Sequence, residues 1–77
     1  MKTIGILGST GLVGTQALDV IRMNNNKYRV NYLSCFSQVE KIIEQVKEFH
    51  PKKVCIIDQT KESILIEALK SENIEIF

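Results

Sequence analysis

The chain has 77 residues, 44% of them hydrophobic and 25% charged, with a net charge of +1. That composition suits a single small soluble domain and excludes a disordered or strongly basic chain. The near-balanced charge gives no clustered basic footprint of the kind nucleic acid requires. The apolar runs are also far short of the roughly 20 residues of a membrane span, so neither nucleic acid nor membrane is an expected partner.

In chain order, residues 3–7 are apolar in succession, which suits a strand buried in a parallel sheet. A glycine-rich turn follows, Gly8-Ser9-Thr10-Gly11-Leu12-Val13-Gly14. From Leu12 to Met23 the periodicity is helical, with Val13, Ala17, Val20 and Ile21 as the expected inner face. Asn24-Asn25-Asn26 ends that helix in a turn. Residues 28–35 read as a second strand. Ser37 and Glu40 then have the spacing of a capping box, ahead of a stripe of Val39, Ile42, Ile43, Val46 and Phe49. Pro51 closes this second helix.

Residues 53–57 read as a third strand ending at Asp58, whose position before a helix suits a turn or cap residue better than a catalytic one. Thr60 is placed to cap a third helix carrying Ile64, Leu65, Ala68 and Leu69, with Asn73 in its last turn. Residues 74–77 begin a fourth strand. Strand and helix thus alternate throughout as βαβαβαβ. The predicted fold class is α/β, a parallel sheet with helices on both faces joined by right-handed crossovers. Because the chain stops within a strand, residues 1–77 are expected to be only the N-terminal half of such a domain. Cys35 and Cys55 fall within strands and lack metal-site or redox spacing, and His50 has no partner cluster; all three read as structural.

The chemistry lies in the first loop. Glycines between a strand and an amphipathic helix bring backbone N–H groups to a ligand, and the helix dipole favours an anion there. This is the setting of a pyrophosphate in a Rossmann-type dinucleotide site. The spacing is GxxGxxG, with Ser9 where the commoner GxGxxG has its first glycine. At the end of the second strand, Ser34-Cys35-Phe36-Ser37-Gln38 has no carboxylate to repel a ribose 2′-phosphate, so NADP is permitted, although no cation there selects it. Ser37 suits either a phosphate contact or a helix cap.

The loop followed by Leu18-Asp19-Val20-Ile21, together with Phe49-His50-Pro51-Lys52-Lys53-Val54 and Asp58, resembles the amino-terminal signature of the 1-deoxy-D-xylulose 5-phosphate reductoisomerase family. The resemblance implies NADPH as cofactor, with Thr10, Gly11, Leu12, Val13, Ser37 and Gln38 as the cofactor-binding residues. It departs at Phe36-Ser37-Gln38, where the family has Gly-Lys-Asn or Gly-Ser-Asn. It further implies a cytoplasmic, homodimeric enzyme acting on a sugar phosphate. The divalent metal, Mg or Mn, and the catalytic residues would lie outside these 77 residues, leaving this segment inactive alone. Two other readings share the N-terminal loop: a semialdehyde or acyl-phosphate dehydrogenase, and a non-catalytic nucleotide-binding module.

Overall fold

The computed structural model describes residues 2–77. Four strands, β1 (Lys2–Ile6), β2 (Tyr28–Cys35), β3 (Lys53–Ile56) and β4 (Glu75–Ile76), alternate with α1 (Leu12–Met23), α2 (Val39–Phe49) and α3 (Glu62–Ala68). A short 3₁₀ turn, Gln59–Lys61, leads into α3. All three strand pairings are parallel, and the spatial order is β1-β2-β3-β4. The expected parallel α/β sheet is therefore present.

Strand order decides where the helices go. Each crossover steps to the next strand on the same side, and right-handed crossovers that step one way place their helices on one face. The core matches this. Ile6, Val30, Leu33, Cys35, Val54 and Ile56 from the sheet form one buried cluster with Leu18, Ile21, Ile42, Val46, Leu65 and Leu69. Of the two helical layers expected, the described residues build one. Toward the other face lie Tyr32 and Phe77, their ring centroids 6.2 Å apart.

Val30 and Leu33 both belong to the core although they are three positions apart. Simple alternation would put them on opposite faces. The pairing with β1 explains it: Ile4 aligns with Val30 but Gly5 with Tyr32, so Asn31 is an extra residue in β2 and resets the alternation.

Three local expectations are corrected. The buried side of α1 is Gly14, Leu18 and Ile21, with Ala17 packed beside them, whereas Val13 and Val20 are 78% and 57% exposed. The close packing of Gly14 sets the rotation of the helix, and its neighbour Val13 then points outward. The Ser37–Glu40 capping box does not form. Val39 N–H donates to Ser37 C=O (2.8 Å) around Gln38 at φ −77°, ψ 68°, an inverse γ-turn that makes Gln38 the residue flanking the helix, with no side-chain cap. In the third connection Asp58, not Thr60, is the cap: its Oδ1 accepts from Thr60 N–H (3.1 Å) and Thr60 Oγ1 (2.6 Å). Of the apolar residues the third helix carries, Leu65 and Leu69 are buried and Ile64 is 48% exposed. The α2 stripe is as expected, with Ile42 and Val46 buried and Val39, Ile43 and Phe49 packed against them. His50 ends α2 in the left-handed conformation (φ 49°), immediately before Pro51.

Candidate dinucleotide site

In a parallel sheet every strand leaves at the same edge, so the connections after β1 and β2 lie side by side. This brings the two groups of predicted site residues together. Thr10, Gly11, Leu12 and Val13 lead from β1 into α1, and Ser37 and Gln38 lead from β2 into α2. Thr10 is buried, Ser37 half-buried, and Gly11, Leu12, Val13 and Gln38 are exposed. Phe36, beside them, is 66% exposed.

Gly8 has φ +66°, in the left-handed region that disfavours side chains, so glycine permits the reversal out of β1. Gly11 N–H then donates to Gly8 C=O (3.0 Å), and Thr15 N–H donates to Gly11 C=O (2.9 Å), starting α1. Gly14 is the tightest point. A Cβ there would stand 2.3 Å from Gly8 O and 2.7 Å from Ser9 Cα, so the helix closes directly on the loop and not on the strand itself. Gly11 flanks the N-terminus of α1, and no side chain caps it. The first N–H groups of the helix, on Leu12 and Val13, therefore face the exposed end of the sheet with the positive end of the helix dipole behind them. A pyrophosphate fits this cradle by charge, by donor supply and by the lack of a side chain at Gly11.

Two residues that the sequence reading had not singled out hold the loop in place. Ser34 at the end of β2 accepts Gly8 N–H on Oγ (3.3 Å) and Ser9 N–H on its carbonyl (2.8 Å). Gln45 of α2 accepts from Ser9 Oγ (2.7 Å) on Oε1 and donates from Nε2 to Ser9 C=O (2.9 Å). A polar residue on the half-buried flank of a helical stripe was the only signal for Gln45. Nothing in sequence spacing links it to Ser9.

The ionisable groups nearby are structural. The Thr60 hydroxyl and then its N–H lower the Asp58 carboxyl below its ordinary value, as a cap does. Burial raises the Cys35 thiol, which keeps it neutral. Arg22 joins α1 to α2 through Glu48, bonds Asp19 at 2.5 Å and lies 5.3 Å from the centre of the Phe49 ring. Among the described residues no group of three or more His, Cys, Asp or Glu side chains is placed to hold a metal ion. No described helix is long and apolar enough to cross a membrane.

Residues 4–77 match the profile of the 1-deoxy-D-xylulose 5-phosphate reductoisomerase family. The chain belongs to that family. The enzyme of this name from Lachnoclostridium phytofermentans is 49% identical over 61 residues, covering 79% of this chain and 16% of its own length. That from Thermoanaerobacter sp. (strain X514) is 43% identical over 76 residues, covering 99% of this chain and 20% of its own. Among solved structures, a reductoisomerase in complex with NADPH, fosmidomycin and magnesium superposes with a TM-score of 0.95 at 32% identity, over 100% of this chain and 19% of that one. The Zymomonas mobilis enzyme in complex with NADPH gives 0.91 at 31% identity, over 97% of this chain and 20% of that one. The chain thus spans a fifth or less of the length of these relatives.

Proposed function

We propose that residues 1–77 are the N-terminal part of the NADPH-binding domain of a 1-deoxy-D-xylulose 5-phosphate reductoisomerase. The observation that carries this is the open N-terminus of α1, closed onto a glycine loop at Gly8 and Gly14. Support comes from relatives of this family solved with NADPH bound. In this reading the backbone of Thr10, Gly11, Leu12 and Val13 holds the pyrophosphate, and Ser37 and Gln38 meet the ribose side. The inverse γ-turn at Gln38 frees the Ser37 hydroxyl from capping, so it is available to a 2′-phosphate. Phe36 stands beside it, exposed, where the family's motif has glycine.

The whole protein would rearrange 1-deoxy-D-xylulose 5-phosphate and reduce the resulting aldehyde to 2-C-methyl-D-erythritol 4-phosphate, in non-mevalonate isoprenoid precursor synthesis. A divalent metal, Mg or Mn, would polarise the substrate oxygens from carboxylates outside these residues. The enzyme would work in the cytoplasm as a homodimer. Residues 1–77 alone would bind nucleotide weakly and catalyse nothing. The test is substrate-dependent oxidation of NADPH, followed at its nicotinamide absorbance, by the full-length protein carrying this segment and by the 77 residues alone. Turnover by the former and none by the latter is expected. A full-length protein that binds NADPH but oxidises it only with an acyl phosphate or a semialdehyde would overturn the assignment.

A further inference from the structure

We infer that Gln45 is the positioning residue of the phosphate loop, an inference that rests on the NADPH-binding reading above. Ser9 has no solvent exposure, yet it carries three polar groups. Its N–H goes to Ser34 C=O, its hydroxyl to Gln45 Oε1 and its carbonyl receives Gln45 Nε2. All three partners lie outside the loop. Two of the three bonds come from one side chain, 36 residues away on α2.

The chemistry of Ser9 fixes which way the amide points. A backbone carbonyl only accepts, so the atom facing it must be the nitrogen, and the oxygen is left to take the hydroxyl proton. A two-point grip of this kind holds the Ser9 peptide plane. The peptides that follow lead through Thr10 and Gly11 to Leu12 and Val13, where the donors for the pyrophosphate begin. Helix α2 also starts immediately after Ser37 and Gln38, so one rigid element sets both the ribose side and the phosphate side of the site. Removing the side chain leaves a buried carbonyl and a buried hydroxyl without partners, and the loop must turn to rescue them.

The requirement is for a donor and an acceptor at once, which makes glutamate an informative replacement. As a carboxylate it only accepts, cannot serve Ser9 C=O and places negative charge behind an anion site. Once protonated it regains a donor and matches glutamine.

The experiment measures NADPH dissociation constants by fluorescence in the full-length protein, as wild type, Gln45→Met, Gln45→Glu and Arg22→Met. Arg22→Met removes the side-chain bridge between α1 and α2, which does not touch the loop, and serves as the purely structural control. Gln45→Met is expected to weaken binding roughly tenfold, and Arg22→Met by less than about twofold. Gln45→Glu is expected to bind poorly at about pH 8 and to recover toward wild type as the pH falls and its carboxyl protonates. The wild-type profile is the reference, because the charged groups that line the same cleft, Asp19, Arg22, Lys41, Glu44 and Glu48, are common to both proteins. If Gln45→Met does not fold, the slope of the Gln45→Glu profile against wild type decides. Wild-type binding with an unchanged Gln45→Met, or a Gln45→Glu profile parallel to wild type, overturns this inference alone. A wild type that does not bind NADPH overturns the functional reading as well.

Discussion

Replacing Gly14 with alanine probes the closest contact in the molecule. The added methyl would lie 2.3 Å from Gly8 O, 2.7 Å from Ser9 Cα and 3.0 Å from Gly8 C, all backbone atoms that cannot swing aside. Ordinary contact begins about 1 Å farther out, so loop or helix must move by about that distance. Overpacking on this scale costs about 1–3 kcal/mol, and alanine's better helix propensity returns about 1 kcal/mol. The displacement has a second cost. The bonds of Ser9 to Gln45, at 2.7 and 2.9 Å, do not survive being stretched by about 1 Å, and stranding their buried groups costs a further ~1–3 kcal/mol. The expected loss is about 1–5 kcal/mol, read from the midpoint of denaturant unfolding, with a matching fall in NADPH affinity. Gly11→Ala is the comparison, because its methyl would meet Gly8 O at 3.4 Å, an ordinary contact, so stability should barely change. A Gly14→Ala protein with wild-type midpoint and wild-type affinity would refute the reasoning.

Leu33, wholly buried at the centre of the sheet, should cost about 2–5 kcal/mol when cut to alanine, measured by the same unfolding; a loss under about 1 kcal/mol would mean the core is not packed as described. The hydrogen bond from Arg22 holds the Glu48 carboxyl below its ordinary value. A carboxylate with a depressed folded value contributes stability above its unfolded value, and that stability is lost as pH falls through the folded one. The difference in stability between wild type and Glu48→Gln should therefore be small, present at neutral pH and gone in acid, and it should shrink in salt because the pair is exposed. A difference that grows on acidification would contradict this.

The element order was legible because alternation of apolar runs with helical periodicity depends only on local sequence. The glycine loop was legible for the same reason, and the α2 stripe emerged because Ile42 and Val46 leave little choice of face. What escaped depends on groups distant in sequence. The inner face of α1 is set by Gly14 meeting Gly8 and Ser9, and a residue without a side chain carries no weight in a hydrophobic pattern. The capping box at Ser37 and Glu40 had the right spacing, but the turn at Gln38 began the helix one residue later. Strand order cannot be read from alternation, so the single helical layer appeared only in the structure. The pairing of Ser9 with Gln45 is likewise a product of the crossover that lays α2 beside the first loop.

The central claim is that the loop at residues 8–14 holds the phosphates of NADPH, and a direct titration tests it. Wild-type full-length protein and its Gly11→Val variant are titrated with NADPH, with unfolding midpoints recorded in parallel. Saturable binding by wild type, abolished in a folded Gly11→Val, is the result this account predicts. Equal binding by both proteins would contradict it.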